Sequence, residues 1–183
     1  MVDAMDRAVF DAVAGTATPN LDRLLVGVSN AANYSRLWML TAAVVAAFGG
    51  GRGRRAAGRG VLAIAVASAV TNLCLKPLAG RRRPDRAVHG PVSLSRRVRR
   101  PMSTSFPSGH AASAFAFAYG LGAANPAIWG LVRLAGAAVA YSRVHTGVHY
   151  PSDVVVGAVV GGLCGWTVRR LVGRRAACPA ASG

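Results

Sequence analysis

Four stretches of this sequence carry residues able to handle a phosphoryl group. Lys76, Arg83 and Arg143 supply fixed positive charge, and the forked donors of arginine match phosphate oxygens. Pro107-Ser108-Gly109-His110 opens an apolar tract. A helix there presents the backbone N–H groups of Ser108 and Gly109 at its positive end, a ready anion site. His149 and Asp153 lie four residues apart across a turn containing Pro151. That spacing lets the carboxylate accept from one imidazole nitrogen and leave the other free to attack. His110 sits beside the anion site, where an imidazolium can protonate a leaving oxygen. A clamp, an oriented nucleophile and an acid are the parts of a phosphoryl-transfer reaction. No carboxylate cluster is at hand for magnesium, so neither metal nor cofactor is expected.

The elements that must position these residues are apolar. The 183-residue chain is 52% hydrophobic, yet carries 22 Lys+Arg against 6 Asp+Glu, a net charge of +16. A basic disordered tail cannot be that apolar. A pI near 11.7 suggests nucleic acid, but the arginines cluster between uncharged tracts such as 60–75 and 101–132, so no nucleic-acid partner is expected. The pattern is that of an integral membrane protein. Five apolar stretches emerge: Leu37–Gly51, ending in a basic loop Arg52–Arg59; Gly60–Leu75; Phe106–Ala124; Ala127–Ser142; and Val154–Val168, ending in Arg169, Arg170, Arg174 and Arg175. Each is somewhat shorter than the roughly 20 residues that span a bilayer, so polar helix ends must reach the interface. The expected fold is all-α, a membrane bundle of about five helices over residues 36–175. Residues 1–35 form an amphipathic interfacial segment, and 176–183 a flexible tail. Alternating helix directions then bring Lys76, the 108–110 turn, Arg143 and Asp153 to one membrane face. No removable signal peptide is visible, and Cys74, Cys164 and Cys178 lack metal-ligand spacing.

At these residues the sequence resembles the type-2 phosphatidic acid phosphatases. Lys, six residues, then Arg-Pro stands here as Lys76…Arg83-Pro84; Pro-Ser-Gly-His as Pro107–His110; and Ser-Arg, five residues, His, three residues, Asp as Ser142-Arg143…His149…Asp153. All three parts occur in order and spacing over residues 76–153. The resemblance implies a metal-independent phosphatase with a helical membrane bundle. It makes His149 the phosphohistidine nucleophile, Asp153 its orienting partner and His110 the acid for the leaving group. Lys76, Arg83, Arg143, Ser108 and Gly109 would hold the phosphoryl group.

Plainer readings compete at several positions. His145 matches no required family position and reads as a neighbour that shapes the site, and His89 as solvated. Arg81 and Arg82 adjoin the clamp as candidate substrate contacts. Arg96, Arg97, Arg99 and Arg100 read as an interfacial strip for anionic headgroups. A count of basic residues alone puts the site in the cytoplasm. The clamp itself needs several of them, however, and Arg52–Arg59 is a strong retention signal, so the balance favours an extracytoplasmic site in a bacterial cell membrane. Expected partners are the bilayer and a lipid-linked phosphate: prenyl diphosphate, a decaprenylphosphoryl-phosphoribose, or a glycerolipid such as phosphatidic acid or phosphatidylglycerol phosphate. The Ala/Gly/Arg-rich composition points to a GC-rich bacterium and resembles small actinobacterial family members, which favours the prenyl substrates. A non-enzymatic basic lipid-binding scaffold is the alternative of a different class. Oligomeric state is not legible in the sequence.

Overall fold

The computed structural model describes residues 2–85, 96–99, 102–122 and 126–175, with the side chains of Arg174 and Arg175 outside that set. His89, Arg100 and the expected tail at 176–183 lie outside the described residues. Among the described residues every regular element is helical. An N-terminal pair, α1 (Val2–Ala14) and α2 (Pro19–Ala31), precedes α3 (Arg36–Phe48). Next come α4 (Gly50–Ala69), a π turn (Val70–Leu75) and the short α5 (Lys76–Ala79), which together make one continuous helical path. The bundle closes with α6 (Gly109–Leu121), α7 (Pro126–His145) and α8 (Pro151–Arg175).

Each of the five apolar stretches coincides with one of these helices or paths, α3 through α8. Two of them, Gly50–Ala79 and Pro151–Gly173, are long and apolar enough to cross a membrane. At 13 residues each, α3 and α6 reach about 20 Å, short of a hydrocarbon core of about 30 Å.

One boundary differs from expectation. Arg52–Arg59 belongs to the first turns of α4 and not to a loop, because the chain reverses between α3 and α4 at Gly49-Gly50, where Gly50 has φ +58°. The arginines then emerge from a helix end, with their backbone hydrogen bonds already satisfied.

Small residues set the packing. Gly157, Gly161 and Gly165 recur every fourth residue of α8 against α6. A Cβ at Gly157 would lie 2.5 Å from the Ser108 carbonyl oxygen, one at Gly161 2.1 Å from that of Ala112, and one at Gly165 2.5 Å from that of Ala116. The two backbones touch along that stripe, as small-residue helix pairs in membranes do. Gly60 does the same on the other side of α6, facing the Phe117 ring, which itself packs on the buried Trp38 at 5.6 Å. So α6 is the central helix, gripped by α4 and α8, and its first turn is fixed in space. The N-terminal pair packs on α7 and α8 and buries two acids, Asp6 and Asp22.

Candidate active site

All eight sequence-predicted site residues lie at the end of the bundle where α5 stops, α6 and α8 start and α7 stops. Ser108 caps α6: its Oγ accepts from the Ala111 N–H at 3.5 Å, and its own N–H donates to the Asp153 carbonyl at 2.9 Å. The second bond ties the anion-binding turn to α8 beside the candidate nucleophile. His149 sits in the reversal between α7 and α8. The Arg143 carbonyl accepts from the N–H groups of both Val148 and His149 at 3.1 Å, so the last turn of α7 holds that reversal in place.

The imidazole of His149 is buried. Its Nδ1 stands 3.5 Å from Asp153 Oδ2 and its Nε2 3.1 Å from the Arg83 guanidinium. A guanidinium only donates, so Nε2 carries the lone pair and the ring proton is on Nδ1, toward the carboxylate. Asp153 is fixed in turn. Oδ2 accepts from the Tyr150 N–H at 2.9 Å and from the Ser105 hydroxyl, and Oδ1 accepts from Arg81 at 2.9 Å. Burial pushes the His149 imidazolium down to about 4. The bond to Asp153 works against that, and the charges of Arg83 and Arg143 reinforce it. His149 is therefore neutral at ordinary pH, the form with an available lone pair.

Around it lie the cations. Arg83 donates to the carbonyls of Val148 (2.8 Å), Ser103 (2.9 Å) and Thr104 (3.2 Å). Lys76 donates to Asn72 Oδ1 at 2.8 Å and Ser103 Oγ at 3.3 Å, and its Nζ would meet a Cβ at Gly109 at 3.8 Å. Arg143 is buried and donates to Ser29 Oγ. His110 Nε2 lies 3.1 Å from Asn33 Oδ1. A cavity of about 600 Å³, lined by Gly80–Arg83, Asp85 and Met102–Thr104, opens over the clamp. A smaller one of about 140 Å³ reaches His110 between Ala32, Ser68 and Asn72. A neutral, oriented imidazole, ringed by guanidinium, ammonium and helix N–H groups, can attack a phosphorus atom while the charges hold its oxygens.

Two sequence readings need correction. Arg81 is not turned to a substrate: it bonds Asp153, Ser152 (2.7 Å), Asp6 (2.7 Å) and Asp3 (2.8 Å), with its guanidinium 4.4 Å from the Tyr150 ring centre. Burial would lower its pKa, but the Asp6 and Asp153 carboxylates raise it above its usual value. Arg96 is no part of an exposed strip. It is buried on Asp22 at 2.8 Å and caps the Val13 and Thr16 carbonyls, while Arg97 and Arg99 are exposed. His145 also goes to Asp22, at 2.8 Å. Burial would raise the Asp22 carboxyl, but hydrogen bonds from His145, Thr18 and Arg96 hold it below the usual carboxylate range. The N-terminal pair thus supports the site through Asp6, Asp22 and Ser29, and the turn after it through Asn33, none of which the motif spacing singled out.

Comparison with known proteins bears on the family and the fold. The PAP2 superfamily profile matches residues 57–177. The chain is 37% identical over 109 residues to a lipid A 4'-phosphatase of Bacteroides thetaiotaomicron, covering 57% of this chain and 48% of that protein. It is 39% identical over 110 residues to a decaprenylphosphoryl-5-phosphoribose phosphatase of Mycobacterium tuberculosis, covering 60% and 58%. The aligned part thus spans about half the length of these curated relatives. Two crystal structures share the fold at TM-score 0.73. Aquifex aeolicus LpxE does so at 24% identity over 89% of this chain and 93% of its own. The first transmembrane PAP2-type phosphatidylglycerolphosphate phosphatase from Bacillus subtilis does so at 23% over 94% and 87%.

Proposed function

This chain belongs to the PAP2 superfamily, and on that premise we propose that it is an integral membrane phosphatase acting on a lipid-linked phosphate. The observation that carries the reading is His149: a buried neutral imidazole with its Nδ1 side on Asp153 and its Nε2 lone pair facing Arg83. In the first step Nε2 attacks phosphorus and the bond to the leaving oxygen breaks, with His110 giving that oxygen its proton. Lys76, Arg83, Arg143, the Ser108 hydroxyl and the Gly109 N–H stabilise charge on the equatorial oxygens. In the second step water, deprotonated by His110, attacks the phosphohistidine, freeing phosphate and restoring His149. No metal takes part. The helices α3 through α8 cross the bilayer as about five spans, with α1 and α2 at the interface beside the site. The lipid tail stays in the bilayer while its headgroup enters the cavity over Arg83. We take the compact Arg52–Arg59 cluster as the cytoplasmic retention signal, with the site then on the extracytoplasmic side.

For the substrate we favour a polyprenyl phosphate in carrier-lipid or cell-wall precursor metabolism. The support is the 39% identity to the decaprenylphosphoryl-5-phosphoribose phosphatase. The lipid A 4'-phosphatase relative supplies a second arm for the same test. Detergent-purified protein in EDTA is assayed for phosphate release from polyprenyl diphosphate, a prenylphosphoryl-phosphoribose phosphate, lipid A, phosphatidic acid and phosphatidylglycerol phosphate. Release that is unaffected by EDTA, abolished in His149→Ala and fastest on a prenyl substrate is expected. Undiminished release by His149→Ala would overturn the mechanism. A faster glycerolipid would overturn the substrate class.

A further inference from the structure

Along the middle of the bundle, beginning five residues past His110 on α6 and past Asp153 on α8, runs an apolar groove of about 480 Å³. It is lined by Phe115, Tyr119, Val159, Gly162, Leu163 and Trp166. It shares no lining residue with the cavities at Arg83 and His110, and Phe115 at its near end packs on Ala111, Ala140, Val144 and Val154. Val159, Leu163 and Trp166 are at least half exposed along it. A groove of this kind in a membrane protein takes a hydrocarbon chain. What selects the chain's headgroup is charge at the groove's lower end.

Two arginines stand there, each held over a ring that lines or adjoins the groove. The Arg133 guanidinium lies 4.5 Å from the Trp129 ring centre and 5.5 Å from that of Tyr119, and the Arg170 guanidinium 5.2 Å from that of Trp166. Trp129 packs edge-on to Tyr119 at 6.3 Å, so the two sets share one rim. Helix side chains lean toward their own N-terminus, so Arg133 on α7 points away from the catalytic end while Arg170 on α8 points back toward it. By helix rise alone, at about 1.5 Å per residue, Arg133 lies about 18 Å from the catalytic end of α7 and Arg170 about 28 Å from that of α8, and the opposite leans bring their guanidinium groups closer in depth. No acid answers them: the six aspartates are Asp3, Asp6, Asp11, Asp22, Asp85 and Asp153, so none falls on α7, and α8 carries one only in its first turn.

We propose that this groove is a binding site for an anionic phospholipid of the leaflet opposite the catalytic site. One acyl chain lies between Phe115 and Trp166, and the phosphate is held by Arg133 and Arg170. The site rests on the membrane placement proposed above but not on the phosphatase chemistry.

The test uses tryptophan quenching. Of the three tryptophans, Trp129 and Trp166 stand at the rim and Trp38 is buried elsewhere. The full-length protein is reconstituted in phosphatidylcholine vesicles in which a rising fraction of lipid is replaced by phosphatidylglycerol or phosphatidylcholine with brominated acyl chains. A gain of about fivefold per arginine near a phosphate predicts a relative association constant on the order of 25 for phosphatidylglycerol. In the Arg133→Gln/Arg170→Gln variant that constant falls to near 1. Gly162→Leu, whose Cβ meets only the Tyr119 ring at 3.7 Å, fills the groove and reduces quenching by both lipids. Thermal unfolding checks that the variants fold, so the result does not depend on finding a substrate. Equal quenching by the two lipids in the wild type, or a preference that survives loss of both arginines, overturns the proposal. Absence of quenching together with a dimer in light scattering assigns the groove to a second copy of the chain and also overturns it.

Discussion

Replacing Arg81 by glutamine separates a positioning role from a substrate contact. Arg81 donates to Asp153, Asp6, Asp3 and Ser152, and its side chain is 21% exposed. Asp3 is 77% exposed, so that pair contributes little. Asp6 and Asp153, at 5% and 0%, are a different matter. Without Arg81 each loses its cation in a buried setting, and breaking such pairs costs about 3–5 kcal/mol. At about 2–4 °C per kcal/mol for a chain of this size, Tm should fall by roughly 6–20 °C. Asp153 would also shift, and His149 with it. A displacement of about 1 Å at a reacting atom costs on the order of 100-fold, so kcat should fall by about that factor while KM changes little. Arg81→Lys, which restores charge without the fork, should recover Tm in part. A phosphate-binding Arg81 predicts the reverse: a raised KM with Tm unchanged. Thermal unfolding in detergent beside steady-state phosphate release decides between them, and a stable Arg81→Gln enzyme with normal kcat would refute the reasoning.

Three further outcomes follow from the geometry. Because the folded His149 pKa lies near 4, below the usual value of about 6.5, its ring stays neutral through pH 6 and charges only as pH falls toward 4. The unfolded chain binds this proton from about pH 6.5 downward and the folded chain only near 4, so stability from this group is lost as pH falls from about 6.5 to 4. Nitrogen-15 NMR of labelled histidine should show the neutral ring at pH 6 in wild type, with the titration moved upward in Arg83→Ala; a His149 charged at pH 6 would contradict this. Gly161→Ala would drive its Cβ into the Ala112 carbonyl at 2.1 Å, whereas at Gly130 a Cβ meets nothing within 4 Å. Unfolding midpoints should drop by an amount equivalent to about 2–3 kcal/mol in the first variant and stay unchanged in the second. Asn33→Ala removes the acceptor of His110 Nε2, and steady-state kinetics should show kcat lower by about fivefold to tenfold with KM preserved.

The helices α3 to α8 were legible because a bilayer imposes apolar runs whose ends must be polar. Once five runs are drawn, alternation alone brings Lys76, His110, Arg143 and Asp153 to one end. What misled was charge at an element boundary. Arg52–Arg59 reads as a loop because arginines terminate spans, yet a helix can continue through the interface while its arginines face outward. The N-terminal contribution was invisible for a different reason. Asp6 meets Ser152 and Asp22 meets His145 across sequence separations of 146 and 123, so no local spacing records the pairs. Their amphipathic surroundings also look like any solvated face. One signal was available: a chain with six acids places four of them in its first 22 residues, and acids that scarce need a reason for where they stand.

That reason sorts the cations of the catalytic end into two kinds. Asp3, Asp6 and Asp153 take Arg81, and Asp22 takes Arg96 and His145. A cation bonded to a buried carboxylate is a strut: its charge is compensated, and an incoming anion gains little from it. Arg83 is aimed by the carbonyl oxygens of Ser103, Thr104 and Val148, Lys76 by an amide and a hydroxyl, and Arg143 by the Ser29 hydroxyl. Each of these oxygens accepts a hydrogen bond and so helps to aim the cation that donates to it. In the proposed mechanism a phosphate entering this end meets Lys76, Arg83, Arg143 and the first turn of α6 beside the His149 lone pair. The five nearest cations differ little in residue type. Those that serve as scaffold, Arg81 and Arg96, are recognised by the acids that the N-terminal helices set down beside them, Asp3, Asp6 and Asp22.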